Sequence, residues 1–595
     1  MTLVLLVPRT GDTAVELGRV VDRLSALPAR TPVRVETVGP DDLTAARLPT
    51  AIATALDAAP DGLTIVASGL DASDEALLRI VDDPSLTLAA LVGAPDPARH
   101  PSPSGATMHP VATAGAALLT AGTAVHPVAD ADGQFLGALR IGPSVARAAA
   151  RVLRYVPRIA EVDPVDLVLT ALSRSAALPP VAVVRPDPFP AVRGPAPSTA
   201  VAERPVPADL AARTAARPGD GFYSTYVLRR LSARITPLAV RRRVRPNTVT
   251  AVSTLIGLLG AGGFALGSWA TLAIGAVLLQ ISLVLDCVDG EIARATRQRS
   301  PFGGWLDGAT DRVKEYAAIA GLAAAGHHLW PLAAAGMVVQ TVRHLQDFAF
   351  DKGVLATWRS ELRDVRPLSD VTPWQRPAGV GRGPEPLTGS AGMWLRRVVR
   401  MPIAERWLVL GIAAVCDAPA AGLIAYLVLA ITAELYTVAG AVRRTRGPLG
   451  RYPAELATRL ADYRDDGVLG LATAARAPHG PLGWLLPPLT AVVEGAVVLG
   501  VTVGCAPHWA GAAFGWFAVV AWHRYDVVYR RGGATPVVPE RVGLLGLGWA
   551  VRCAVLVMGA ALGVLPGVLV AGICWLALVY LPESLAAGAR TLKAS

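Results

Sequence analysis

Between residues 248 and 582 the chain repeatedly presents apolar segments about as long as a bilayer is thick, and this restricts its fold more than any other feature. A segment in hydrocarbon must satisfy its own backbone polar groups, which leaves a bundle of helices as the available architecture. Segments of spanning length fall near 248–268, 270–292, 304–326, 329–350, 403–419, 420–442, 486–505, 509–528, 542–562 and 565–582. The loops test that reading. If the residues before the first span are cytosolic, the segments after every second span return to the inside. They contain RATRQR at 294–299, RRVVR within 351–402, RRTRGPLGR at 443–451 and YRR at 529–531. The opposite loops GHHLW, CDAPA, CAPHW and VLPG carry no Lys or Arg. This asymmetry predicts ten spans, both ends cytosolic, in a multi-pass protein of the plasma membrane.

The rest of the chain reads differently. Residues 1–185 alternate strand-length apolar runs (LVLLV at 3–7, VRVETV at 33–38, LTIVAS at 63–68, LAALVG at 88–93) with helical patterns, which predicts a cytosolic α/β domain with a mainly parallel, doubly wound sheet. The opening MTLVLLVPRTGD has too short an apolar run for a signal peptide and reads as a cytosolic strand. Residues 186–220 are rich in Pro and Ala and read as a linker. From Gly221, FYSTYVLRRLSARITPLAVRRRVRPN has apolar residues at helical spacing among arginines, as in an amphipathic helix on a membrane surface. The fold class is therefore an α-helical integral membrane protein with an N-terminal soluble α/β domain. Its six-span core covers 221–445 and a four-span domain covers 446–595. The formal net charge of +10 fits cytosolic Lys and Arg facing anionic lipids or phosphate substrates, with no nucleic-acid partner. The five cysteines form no C-x-x-C pair, so neither a zinc site nor a disulfide framework is indicated.

Within the core, DCVDGEIARATRQRSPFGGWLDGATD runs from Asp286 to Asp311. Asp286 and Asp289 are three residues apart, Asp307 and Asp311 four, so each pair lies on one helix face. Four carboxylates at a membrane boundary are costly unless a cation neutralises them, and hard divalent ions suit oxygen donors. Helix caps and surface charges would be the plainer reading, but neither accounts for this spacing in this setting.

These residues resemble the CDP-alcohol phosphotransferase family, whose signature is D-x2-D-G-x2-A-R-x8-G-x3-D-x3-D. Asp286, Asp289, Gly290, Ala293, Arg294, Gly303, Asp307 and Asp311 fill all eight fixed positions. At roughly one chance in ten to twenty per position, coincidence is implausible. RPNTVT at 245–250 is similar to the family's Pro-Asn-x-x-Thr lead into span one. The resemblance covers about 221–445 and neither end of the chain. It implies an enzyme of phospholipid biosynthesis that uses two divalent metal ions, Mg²⁺ or Mn²⁺. Asp286, Asp289, Asp307 and Asp311 would be metal ligands, with Asp311 also the general base. Gly290, Ala293, Arg294, Gly303 and Asn247 would contact the nucleotide. A hydroxyl would attack the phosphate of a CDP-alcohol such as CDP-diacylglycerol, and CMP would leave. The family often forms homodimers, so a second copy is an implied partner beside membrane lipids.

GFYSTYVLRRLSARIT before RPN, and PIAERW at 402–407, are similar to the branch that makes inositol-phosphate lipids. An anionic acceptor needs basic residues at the cytosolic mouth. The candidates are Arg297, Lys314, Arg343, Arg400 and Arg406, with His344 and Arg397 beside them. Glycerol 3-phosphate or an amino alcohol remains an alternative acceptor, and a transporter or scaffold that keeps the fold is the alternative class. In the archaeal inositol branch a cytidylyltransferase precedes the membrane core, and residues 1–185 faintly resemble it, with Asp71 or Asp74 nearest to its metal-binding aspartate. The Gly-rich loop that would cradle a triphosphate is missing, so a non-catalytic domain with a regulatory or assembly role is expected. In the last four spans, Glu494 and Arg552 each sit about ten residues into a span and are expected to pair there. His523, Arg524 and Asp526 are expected at a cytosolic span end, anchoring it.

Overall fold

The computed structural model describes residues 2–9, 12–27, 29, 31–59, 61–83, 86–94, 109–114, 116–159, 162–186, 191–194, 221–296, 298–355, 361–377, 391–445, 460, 463–469, 482–531 and 536–594. They form two units, Met1–Thr214 with Trp358–Pro386, and Ala215–Thr357 with Leu387–Ser595.

The first unit packs helices α1 (Ala14–Ser25), α2 (Leu48–Ala58), α3 (Asp74–Val81), α4 (Ala146–Arg154) and α5 (Pro164–Arg174) on a sheet of eight strands. Numbered along the chain, the strands of this sheet lie in the order β2-β1-β3-β8-β5-β9-β7-β6. Its first strands are β1 (Thr2–Val7), β2 (Val33–Thr37), β3 (Leu63–Ala67) and β5 (Leu88–Gly93). They coincide with the four apolar runs, because a strand covered on both faces reads as continuous hydrophobics. All five residues of β3 are buried. Along β1, Leu5 and Val7 enter one core while Val4 and Leu6 enter the other, as side-chain alternation requires. The sheet is mixed rather than mainly parallel. β1 runs parallel to β2 and β3, but β8 (Gly133–Ile141) inserts antiparallel between β3 and β5. Strands β6 (Pro110–Ala114) and β7 (Ala117–Ala121) form an antiparallel pair beyond β9 (Ala182–Val184). The apolar runs mark strands but not their direction, which the long-range pairing of β8 sets.

Two boundaries differ from the sequence reading. Within the range read as linker, β10 (Ala191–Arg193) pairs antiparallel with β4 (Leu70–Ala72), and Arg193 lies 2.8 Å from Asp163. Residues 361–377, inside the range read as membrane core, pack on the sheet unit. Trp374 joins a cluster with Ala112, Ala114 and Leu119. Asp364 accepts from Thr120 Oγ1 at 2.9 Å and pairs with Arg174 at 3.0 Å, while Arg363 donates to the carbonyls of Leu178 and Ser175. Polar pairing across 185 to 244 residues leaves no periodicity for a sequence to show.

The second unit is helical. The leading helix α6 (Arg229–Arg241) lies against α8 (Trp269–Ala295), where Glu291 accepts from Arg229, Ser232 and Thr236 at 2.8, 2.7 and 2.6 Å. Helices α7 (Pro246–Ala265), α9 (Pro301–Ala324), α10 (Trp330–Asp347), α12 (Ile403–Val415) and α13 (Pro419–Thr445) complete the core, with α11 (Ala391–Val399) before α12. Then come α14 (Leu486–Cys505), α15 (Ala510–Arg531), α16 (Glu540–Leu545), α17 (Trp549–Ala561) and α18 (Leu565–Ala594). Every segment read as a span is helical, but six among the described residues are long and apolar enough to cross a membrane on their own, not ten. The others fail for physical reasons. Helix α9 carries Asp307, Asp311, Arg312, Lys314 and Glu315, α15 carries four charged residues, and α12 has 13 residues. The protein is a multi-pass membrane protein with an N-terminal β-rich unit.

One of these six, Glu540–Ala561, where a span at 542–562 was expected, is interrupted along its length. Leu547 and Gly548 take left-handed φ angles of 66° and 81°, which separates α16 from α17. A Cβ on Gly548 would meet the Asp466 carbonyl oxygen at 2.4 Å, so the break needs glycine. The expected Glu494–Arg552 pair is present at 2.6 Å with both side chains fully buried, and Arg524 adds a second guanidinium at 2.7 Å. Arg552 also reaches Asp465 and the Gly546 carbonyl freed by the break. His523, Arg524 and Asp526 are buried rather than displayed at a span end, because each finds a partner inside the bundle.

Candidate active site

Helices α7, α8 and α9 converge on the four aspartates. Ser300 caps α9 by accepting from the Gly303 amide at 3.0 Å, and Pro301 opens its first turn, which sets the phase of Asp307 and Asp311. Hydrogen bonds between Ser253 on α7 and Ser282 on α8, at 2.8 and 2.9 Å, hold those helices side by side. Carboxylate oxygens of Asp286, Asp307 and Asp311 lie within 4.8 Å of one another. Asp289 stands apart from that group and accepts from Thr250 Oγ1 at 2.6 Å.

Lys314 is fully buried in this cluster. Its Nζ is 2.6 Å from Asp286 Oδ1 and 3.1 Å from Asp311 Oδ1. A Cβ on Gly257 would touch the Lys314 stem at 3.0 Å, so glycine on α7 makes room for it. The contact with Asp311 is close but poorly aligned, and Asp311 Oδ1 is buried without a hydrogen bond. Lys314 thus sets one ammonium against the two carboxylates of Asp286 and Asp311. An oxygen donor set of this spacing fits a hard divalent cation.

A cavity of about 450 Å³ opens beside Asp289 and Asp307. Its wall contains Asn247, Thr250, Gly290, Ala293, Arg294 and Gly303. Cβ atoms at Gly290 or Gly303 would meet the Arg294 guanidinium at 3.0 Å or Asn247 Oδ1 at 3.2 Å, so larger residues would narrow it. A second cavity, about 560 Å³ and almost wholly apolar, lies between α6, α8 and α12 among Leu231, Ile235, Val277, Ile281, Leu408 and Ile412.

The basic candidates are placed unequally. Arg297 lies outside the described residues. Lys314 is inside the carboxylate cluster rather than at a mouth. Arg343 is buried and donates to the Arg400 carbonyl at 2.6 Å, while Arg400 itself is exposed. Arg406 is buried and donates to Glu315 at 2.7 Å and to the Met401 carbonyl at 3.0 Å. His344 contacts Gln340, and Arg397 lies over the Trp394 ring. Glu315, fully buried between Arg312 and Arg406, and Thr250, behind Asp289, were missed. The i, i+3 spacing of Arg312 and Glu315 was the available signal for the first. Thr250, the last residue of RPNTVT, stood inside a motif already singled out.

In the sheet unit Asp71 is buried with neither carboxylate oxygen hydrogen-bonded, and Asp74 pairs with Arg23 at 2.8 Å on the surface. Arg9, just after β1, lies where a side chain on Gly69 would go. His109, Asp163 and Asp166 also cluster, but the Arg193 guanidinium bridges the two aspartates. Burial would raise the Asp166 carboxyl, yet Arg193 and His109 together hold it below the usual carboxylate range.

The fold and the cluster thus define a membrane protein whose helices bring carboxylates together beside a polar cavity. The CDP-alcohol phosphatidyltransferase family matches residues 243–359, so the chain carries a domain of that enzyme family. Residues 467–592 match a family of unknown function, DUF5941. The chain is 40% identical over 105 residues to a "Bifunctional IPC transferase and DIPP synthase" of Aquifex aeolicus, covering 18% of this chain and 23% of that protein. A Thermococcus kodakarensis protein of the same name is 39% identical over 105 residues, with the same coverage of 18% and 23%. An "Archaetidylinositol phosphate synthase" of Pyrococcus horikoshii is 34% identical over 87 residues, 15% of this chain and 45% of that protein. The chain therefore spans less than half the length of these relatives.

Proposed function

We propose that the protein transfers a phosphatidyl-type group from a CDP-alcohol such as CDP-diacylglycerol to the hydroxyl of a polar, phosphorylated acceptor resembling inositol phosphate, releasing CMP. The convergence of Asp286, Asp307 and Asp311 within 4.8 Å carries this reading. Asp286, Asp289, Asp307 and Asp311 would hold two divalent ions, Mg²⁺ or Mn²⁺, which when bound supply positive charge to the diphosphate and its leaving oxygen. Asn247 and Arg294 would bind phosphate oxygens of the nucleotide, with Gly290, Ala293 and Gly303 leaving room for it. The apolar cavity between α6, α8 and α12 suits the lipid chains. Asp311 takes the proton of the acceptor hydroxyl as its oxygen attacks phosphorus. The new P–O bond forms while the bond to CMP breaks, and the pair leaves on the CMP phosphate. The site faces the cytosol of the plasma membrane, where nucleotide and acceptor are dissolved. Arg400, exposed among the described basic candidates, would bind the acceptor without first breaking a buried pair.

The test is purified full-length protein with Mg²⁺, CDP-diacylglycerol and a panel of acceptors, following CMP. Inositol phosphate should give the fastest release, and Asp311→Asn should abolish it. An absence of CMP with every acceptor would overturn the reading.

A further inference from the structure

Helix α9 has two faces. Asp307, Asp311 and Lys314 share one, and Trp305, Gly308 and Arg312 share the opposite one. The stretch of that back face from Trp305 to Arg312 meets the C-terminal helices matched to a family of unknown function. Trp305 Nε1 donates to Asp526 Oδ1 on α15 at 3.1 Å. The other Asp526 oxygen accepts from Arg530 at 2.9 Å, and Arg530 forms two bonds to Glu583 on α18 at 2.6 and 3.0 Å. The Trp305 ring sits where α18 has Gly588, whose added Cβ would meet it at 2.8 Å. One turn on, the Tyr529 ring lies against Gly308, with a Cβ there only 2.9 Å from it. A further turn on, the Arg312 guanidinium lies 5.5 Å from the Tyr525 ring centroid.

We propose that the C-terminal helices are a clamp that sets the rotation and depth of α9, and that Asp526 is its positioning residue. Two physical needs point this way. The carboxylates of Asp286 on α8 and of Asp307 and Asp311 on α9 lie within 4.8 Å and repel one another, which favours turning or withdrawing α9. Apolar packing resists separation but tolerates rotation, whereas a directional bond to one indole N–H does not. A buried Asp–Arg–Glu chain inside a helical bundle is costly, which suits a device for register better than one for bulk stability. The clamp acts through Asp307 and Asp311 and touches no substrate. It rests on the reading of the aspartates as a divalent-metal site.

The test measures Mn²⁺ binding to full-length protein in detergent by the loss of the free-ion paramagnetic signal, alongside CMP release. Trp305→Phe keeps the ring and removes the donor, and should weaken Mn²⁺ binding about fivefold. Asp526→Ala should weaken it by about the same or more, and the double variant no further, because both cut one link. Gly308→Ala, which pushes the Tyr529 ring aside, should weaken it as well. Variants that lower only the unfolding temperature and bind Mn²⁺ like the wild type overturn the clamp. Wild-type Mn²⁺ binding without CMP release would sink the transferase reading while leaving the clamp to be judged on affinity. Wild-type protein that binds no Mn²⁺ overturns both.

Discussion

Lys314→Met isolates the electrostatics of the carboxylate cluster. The substitution keeps the stem beside Gly257 and removes the ammonium that lies 2.6 Å from Asp286 and 3.1 Å from Asp311. With an effective dielectric constant near 20, each contact is worth about 5–6 kcal/mol of Coulomb attraction, opposed by several kcal/mol for burying the ammonium. Removing one partner of a buried pair leaves uncompensated carboxylates, for a net loss of about 3–5 kcal/mol without divalent ions. The same deletion removes a cation that competes for Asp286 and Asp311. The variant should therefore bind Mn²⁺ more tightly, by about tenfold or more, a modest share of the attraction lost. Stability and affinity move in opposite directions, which a general packing defect would not produce. The assay is thermal unfolding of full-length protein in chelator and at rising Mn²⁺. The order of midpoints is the readout, because a multi-domain protein does not unfold in two states. The variant should melt several degrees below wild type in chelator, and the gap should narrow as metal is added. A variant that melts with wild type in chelator, or binds Mn²⁺ no more tightly, refutes this account.

Other perturbations address separate parts of the molecule. Gly303→Val would place a branched side chain beside Asn247 in the 450 Å³ cavity, and should raise KM for the CDP-alcohol about tenfold or more with a smaller effect on kcat. Glu494→Ala leaves Arg552 and Arg524 without their shared carboxylate, and should destabilise the protein by about 3–5 kcal/mol, seen as early unfolding with residual Mn²⁺ affinity intact. In the sheet unit burial would raise the Asp364 carboxyl, but Arg366, Arg174 and Thr120 hold it below its ordinary value. A depressed carboxyl stabilises above its unfolded pKa, and that stability is lost as pH falls through the folded value. Hydrogen exchange in 361–377, corrected for intrinsic rates, should therefore rise on acidification, and Asp364→Asn should show high exchange already at neutral pH.

Legibility varied with the kind of interaction. Strands β1, β2, β3 and β5 were readable because their apolar runs are continuous, and the helices of the second unit because theirs are long. The aspartate motif was readable because its intervals are helical and short. Antiparallel β8 was not, since its partners are set by pairing across the sheet. Nor were the docking of 361–377 and the break at Leu547–Gly548, which depend on Thr120, Arg174 and Asp466 far away in sequence. The basic candidates show the same divide. A sequence places arginines near a cytosolic mouth, but it does not reveal that Arg406 is committed to Glu315 or Lys314 to Asp286.

By itself the sequence determined that the chain crosses a membrane and that four aspartates occupy two helix faces beside glycines, because periodicity and composition are local properties. Only the tertiary structure decided which carboxylates meet, which cation sits among them, and that the C-terminal helices grip the back of α9. Those outcomes depend on the phase and depth of separate helices, which packing and buried hydrogen bonds set and no single segment encodes.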